Sequence, residues 1–245
     1  MDKYIDRLEI PSYMTDIENR LRAASFMELA QEMAGKGAEQ LDFSDDKLAA
    51  INAVWVLARM HVRFEKTPMW KDKVELQTWH KGLRGIQFLR DYKMLSESGD
   101  TLVNSTSSWL IMDVAERRMV SGDVLRQYVS TDPQCEDAAI ENACPKVVVP
   151  AAACAEQVAV HRVCYSDVDH NRHTNNTRYI QWAMDVLPEE LVYQNEVSEF
   201  FINFNKESHP SENVVLLRGE MNGDWYVEGR SEEGQQLFVC KFVFR

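Results

Sequence analysis

The strongest constraint on the fold is a plan the chain runs through twice: a short strand, a polar loop, one helix with an apolar face, then long strands joined by tight turns. In the first pass a strand is expected over residues 3–15. Leu21, Ala24, Ala30, Met33, Ala34 and Gly37 then recur at helical spacing, predicting a helix from about Leu21 to Ala38. Asn52 to Phe64 alternates, which predicts a half-buried strand. Val54, Val56, Ala58, Met60, Val62 and Phe64 would face one way, and Trp55, Leu57, Arg59, His61 and Arg63 the other. Strands follow at Lys73–Lys81, Gly85–Leu95 and Thr101–Asp113, and the turn residues between them imply antiparallel pairing.

From Tyr128 to about Glu156 no period is sustained and prolines recur, so this run reads as a connection. The plan then restarts. A strand is expected from about Val158 to Tyr165, then a polar loop and a helix ending near Leu187-Pro188. Strands follow at Ser198–Glu207, Asn213–Gly219, Trp225–Gly229 and Gln236–Phe244, with a hairpin signal at Asn222-Gly223-Asp224. Phe64-Glu65-Lys66-Thr67-Pro68 resembles Lys206-Glu207-Ser208-His209-Pro210, which sets Glu65 opposite Glu207 and Pro68 opposite Pro210. A repeat of about 120 residues is a duplicated domain, since solenoid repeats run about 20–50. The expected division is 1–128, a connection over 129–157, and 158–245.

Composition excludes several classes. At 45% hydrophobic and 27% charged, the chain reads as an ordinary globular protein. No run approaches the ~20 apolar residues of a membrane span. Met1 to Glu9 alternates charged and apolar residues, unlike a secretory signal, so a cytoplasmic location is expected. Five cysteines without a C-x-x-C pair argue for reduced thiols rather than a disulfide framework or structural zinc. A net charge of −12 disfavours nucleic acid as a partner. Trp55 to Leu95 nevertheless holds nine bases against four acids, which suggests either a local docking patch or solvated strand faces.

The chemistry concentrates between Cys164 and Leu187. Asp167, Asp169, Asn171 and His173 crowd a loop, and Asn175-Asn176 stands where a helix N-cap is favoured. Beyond it Tyr179, Trp182, Ala183 and Val186 mark one buried helix face. The free N–H groups of that helix start suit an oxygen developing negative charge. Asp169, Asn171 and His173 alternate, so an extended loop would point all three one way. Residue types alone allow two blander readings: a loop that only satisfies the helix start, and a metal held by His170 and His173 with the nearby aspartates.

The run D-x-N-x-H-x-N-N-x-x-Y, Asp169 to Tyr179, resembles the acyl-acyl carrier protein thioesterases of plants and bacteria. The resemblance implies an α+β tandem (double) hotdog fold, with two antiparallel sheets each wrapped around a central helix. It implies thioester hydrolysis that releases free fatty acid, with acyl carrier protein as partner and no cofactor or metal. Asp169, Asn171 and His173 fall on the family's functional Asp, Asn and His. Phe204-Asn205-Lys206-Glu207-Ser208 resembles the family's Y-R-R-E-C, which puts Glu207 on the catalytic Glu and Ser208 where plant enzymes carry Cys. The first half would then bind the acyl chain and the second would catalyse. The small residues and methionines of the first helix, Ala23, Ala24, Met27, Ala30, Met33 and Ala34, suit an adaptable pocket or simple packing.

The mechanism expected is attack by water, with Glu207 or Asp169 as base, directly or through His173, and Asn171 with helix N–H groups holding the oxyanion. A Ser208 nucleophile would need activation by His173 or Glu207. The alternatives are a hotdog acyl-coenzyme A thioesterase and a non-catalytic acyl-binding protein. Two fused hotdogs allow either a monomer or a homodimer.

Overall fold

The strand Ala53–Phe64 (β2) is where the two halves of the molecule meet, and its own irregularity sets which residues reach the core. The computed structural model describes residues 3–41, 45–120, 131–169 and 172–245. In the first half β2 is accompanied by β1 (Tyr4–Glu9), β3 (Lys73–Arg84), β4 (Gln87–Ser96), β5 (Thr101–Asp113) and the two-residue β6 (Arg118–Met119). The second half supplies β7 (Glu156–Arg162), β8 (Val197–Phe204), β9 (Asn213–Met221), β10 (Asp224–Arg230) and β11 (Gln236–Phe244). Among the described residues the α-helices are α1 (Ala23–Gln40), α2 (Asp45–Ala50), α3 (Asn176–Asp185) and α4 (Glu189–Gln194).

All strand pairs are antiparallel, in the order β1-β3-β4-β5-β2-β8-β11-β10-β9-β7, with β6 on β5. Read from each outer edge inward, the halves share one order: first, third, fourth, fifth, second. The two sheets are joined edge to edge by β2 and β8, from Arg59 opposite Asn203 to Arg63 opposite Glu199. Each half lays its long helix on the sheet, and α1 and α3 pack on each other. Phe26, Met27, Ala30 and Met33 of α1 and Tyr179, Ile180, Trp182 and Ala183 of α3 enter one common core with Val62, Phe200 and Phe238.

Several expectations shift for identifiable reasons. The opening strand stops at Glu9, because Pro11 introduces a 3-10 turn over Ser12–Met14. The uniform alternation expected of β2 breaks at Ala58, an extra residue between the pairs Leu57–Trp109 and Arg59–Ser108. This bulge reverses the phase. Ala53 and Leu57 are buried before it and Met60, Val62 and Phe64 after it, so Val54 ends on the outside. β8 ends at Phe204 rather than Glu207. There the N–H groups of Asn205 and Lys206 both donate to Leu237 O, at 2.8 and 3.0 Å, and the chain leaves the sheet.

Within the connection expected over 129–157, residues 131–150 have no helix or strand and strap the face of the sheet turned away from α1; a 3-10 turn over Ala151–Ala153 follows, and β7 begins at Glu156, inside the expected connection. Trp79 Nε1 donates to Asp137 O, Ala139 N–H to the buried Asp91 carboxylate, and Asn203 both donates to Val147 O and accepts its N–H. Cys144 sits in this strap with its thiol on Thr106 O, and burial pushes its pKa up to about 12.

The halves repeat each other's backbone hydrogen bonds around the helix starts. Asp16 N–H donates to Arg20 O, and Asp169 N–H to His173 O, both at 2.9 Å. Arg22 N–H donates to Met14 O as Asn175 N–H does to Asp167 O, and Leu21 N–H to Pro68 O as Thr174 N–H does to Ser208 O. Asn19 and Arg172, each inside its turn, have φ of 62° and 65°. This pattern places Asp16, Arg20, Thr67 and Pro68 at the positions of Asp169, His173, Glu207 and Ser208. The counterpart of Glu207 is therefore Thr67 and not Glu65: matching residue types missed the true register by two positions.

Candidate active site

Helix α3 starts where the sequence requires. The Asn175 side chain accepts the N–H and the hydroxyl of Thr177, both at 2.9 Å, and Arg178 N–H donates to Asn175 O. This cap consumes donors expected to be free. Asn176 N–H remains as the first-turn donor without an acceptor among the described residues. The loop before it is not extended. Arg172 N–H donates to Asp169 O at 3.0 Å, and the left-handed Arg172 turns the chain back between Asp169 and His173. Asn171 and His170 lie outside the described residues.

Two side chains hold this loop from below. Asp167 accepts Cys164 N–H at 2.7 Å and faces His161 Nε2 at 2.9 Å, while His161 lies 4.2 Å from the Trp182 ring. Asp167 is thus a support, fixed under the helix start. On the other flank Thr174 donates to Ser208 O at 2.9 Å and meets Ser208 Oγ at 2.8 Å. Tyr179 OH lies 3.0 Å from Ser208 Oγ and accepts Ser208 N–H at 2.9 Å. One proton assignment satisfies the whole set: Tyr179 to Ser208, Ser208 to Thr174, Thr174 to Ser208 O. Burial raises the Tyr179 pKa, which keeps the phenol a donor.

This clamp sets the neighbours of its two members side by side. His173 precedes Thr174 and Glu207 precedes Ser208, and His173 Nδ1 stands 3.6 Å from Glu207 Oε1. Their side chains are 42% and 40% exposed, open to solvent and to a substrate. At 3.6 Å the pair is aligned rather than bonded, as catalytic pairs often are before substrate closes on them. His209, whose ring centroid is 5.5 Å from that of His173, borders the same opening; the sequence offered no pattern to mark it.

The start of α3 opens into a cavity of about 770 Å³, within the usual range for ligand pockets. Asp169, Asn175, Asn176 and Thr177 form its second-half wall; α1, Asp46 of α2 and the first-half sheet form the rest, including Leu57, Phe88 and Trp109. Of the six α1 residues that suit either a pocket or simple packing, only Ala34 lines this cavity. Met27, Ala30 and Met33 point into the core, and Glu28, Gln31, Ala38 and Glu39 face the cavity instead. Five of the nine bases of the basic segment are engaged within the protein or buried. Arg63, Lys73 and Lys81 are ion-paired, Arg59 donates to Cys144 O, and Arg90 is buried.

Residues 1–129 match the acyl-ACP thioesterase N-terminal domain, and residues 152–243 match the C-terminal domain. The chain belongs to the acyl-ACP thioesterase family. It is similar to the chloroplastic oleoyl-acyl carrier protein thioesterase of Coriandrum sativum, 27% identical over 87% of this chain and 62% of the relative. It is also similar to oleoyl-acyl carrier protein thioesterase 1 of Arabidopsis thaliana, 29% identical over 95% of this chain and 68% of the relative. The chain thus spans about two thirds of the length of these plant proteins. In fold it is similar to an acyl-ACP thioesterase from Bacteroides thetaiotaomicron, with a TM-score of 0.90, 21% identity and 99% and 98% of the two chains covered. The 12:0-ACP thioesterase from Umbellularia californica gives 0.85, 20%, 99% and 97%. The fold is accordingly the double hotdog.

Within this family member Ser208 is placed to hold, not to attack. It is 0% exposed, and its hydroxyl is spent on Thr174 and Tyr179 rather than on His173 or Glu207. Ser208→Ala should therefore retain turnover within a few-fold of wild type. It should lower stability by about 1–3 kcal/mol, the cost of stranding buried hydrogen-bond partners. Denaturant unfolding together with a thioesterase assay checks both, and loss of turnover by several orders of magnitude would restore Ser208 as a nucleophile.

The first half shows what the same frame becomes without a site. Arg20, at the His173 position, binds Asp16 at 2.8 Å and donates to Asn195 O and Val192 O at 2.7 and 3.0 Å, capping the end of α4. Thr67, at the Glu207 position, donates to Glu196.

Proposed function

We propose that the chain hydrolyses acyl-acyl carrier protein thioesters to free fatty acid and carrier protein, ending fatty-acid synthesis. The first half holds the acyl chain and the second carries out the chemistry. The observation that supports this reading best is the pairing of His173 with Glu207 beside a helix start that opens into the cavity between the halves. Glu207 orients His173 through Nδ1, so that Nε2 takes a proton from water as it attacks the thioester carbonyl. Asn171 and the Asn176 N–H hold the carbonyl oxygen as it gains charge. The proton then passes from His173 to the departing sulfur as the carbon–sulfur bond breaks. Asp169 is hydrogen-bonded through its backbone to His173 and Arg172, and forms part of the nearby cavity wall.

The test is thiol release by the purified protein from one acyl group carried on acyl carrier protein and on coenzyme A. Hydrolysis with a higher kcat/KM on the carrier protein is expected. A higher value on coenzyme A would reassign the carrier, and binding of acyl chains without thiol release would make the protein a non-catalytic acyl binder.

A further inference from the structure

The cavity that opens at α3 contains a charge that a plain fatty chain cannot use. Arg90 projects from β4 beneath α1 and is 7% exposed. Among the described residues its guanidinium makes one hydrogen bond, from Nη1 to Thr78 Oγ1 at 3.2 Å. Among the described residues no carboxylate forms an ion pair with it. The contrast with other buried charges is sharp: Asp91 has Lys81, Glu228 has Arg230, and Arg20 has Asp16. Burying a charge without a partner is costly, and an interior cation normally carries its counter-charge with it.

The site around Arg90 is shaped to accept it. A Cβ added at Gly37 of α1 would come 2.6 Å from Arg90 Nη1 and 3.2 Å from Thr78 Cγ2, so the absence of a side chain there leaves the guanidinium its space. Arg90 lines the same cavity as Asn175, Asn176 and Thr177, among Trp55, Phe88 and Trp109. His80, opposite it on β3, supplies no charge, because burial and then Arg90 push its pKa down to about 4. Glu28, Glu32, Lys36, Glu39 and Asp46 also line the cavity, but none pairs with Arg90. One fixed cation with unused donors therefore faces the space in which the acyl chain would lie.

We propose that the acyl chain this enzyme selects carries an oxygen (a hydroxyl, keto or carboxylate group) that Arg90 binds inside the cavity. The proposal rests on the thioesterase reading of the site. A guanidinium presents donors in a rigid fork, best matched by a carboxylate and adequately by a single oxygen acceptor. A site built to hydrogen-bond a substrate group discriminates strongly against the analogue lacking it, because its own buried donors are left unpaired.

The experiment loads acyl carrier protein with acyl chains of one length: plain, hydroxylated at successive positions, keto, and ω-carboxylated. The wild-type protein should hydrolyse at least one oxygenated chain about 10-fold or more better than the plain chain in kcat/KM. The oxygen's position and the relative rates of the three types identify the group. Arg90→Met should bring that ratio down toward one, and Thr78→Val, which frees Arg90 from its anchor, should lower it less. Binding of the corresponding free acids, read by quenching of the Trp55 and Trp109 fluorescence, should follow the same order. If the plain chain is hydrolysed and bound as well as every oxygenated one, the Arg90 proposal is overturned and the hydrolase reading stands. If no chain releases thiol, the hydrolase reading fails, and the binding series still decides the role of Arg90 without any variant having to fold.

Discussion

Glu207→Gln should lower kcat by about 10²–10⁴-fold, the range associated with losing one general acid or base. The substitution keeps the size of the side chain and removes the charge that orients His173. His173→Ala should cost a similar factor. The double substitution should cost little more than either alone, since groups that act as a unit are not additive. Neither change should shift the unfolding midpoint appreciably, because both side chains are about 40% exposed and the clamp beneath them is made by Thr174, Ser208 and Tyr179. Thiol release on an acyl-acyl carrier protein substrate, with thermal unfolding of the same samples, reads both quantities. Independent, additive losses would show that His173 and Glu207 do not work as a pair.

Asn171→Ala should reduce kcat by about 10²–10³-fold with little effect on KM, as expected for a donor that engages the oxygen only once it carries charge. Asn171 lies outside the described residues, and its role is drawn from its place in the sequence between Asp169 and His173. Asn171→Asp is the sharper version: a carboxylate at the oxyanion position repels the charge that the amide is proposed to stabilise. An Asp variant as active as wild type would remove residue 171 from the oxyanion site.

Much of this arrangement is legible in the sequence because it follows from local chemistry. The cap at Asn175 and the buried face of α3 are short-range features, and they stand where the residue pattern puts them. β5 and β11 match their expected bounds because turns and polar residues flank clean strands at both ends. The bulge at Ala58 was hidden, since alternation written as letters does not record an inserted residue that only the partner strand reveals. The offset between Glu65 and Glu207 was hidden for a related reason. Residue types match at one register and backbone hydrogen bonds at another, and the hydrogen bonds determine which residues share a position in the fold. Arg90 is one of the nine bases between Trp55 and Leu95, and its burial does not show in the sequence, because a strand pattern shows which residues share a face but not which face a helix covers.

The seam between β2 and β8 has a consequence for how the proposed acyl substrate would enter. Two-lobed enzymes often admit ligands by swinging apart like jaws around a flexible crease. Here such a swing would tear the pairs from Arg59–Asn203 through Arg63–Glu199 and bare Val62 and Phe200, both fully shielded from water. The paired sheet is therefore expected to behave as one stiff plate. Whatever yields to let a chain pass belongs to the layer resting on that plate, where α1 meets the first turn of α3.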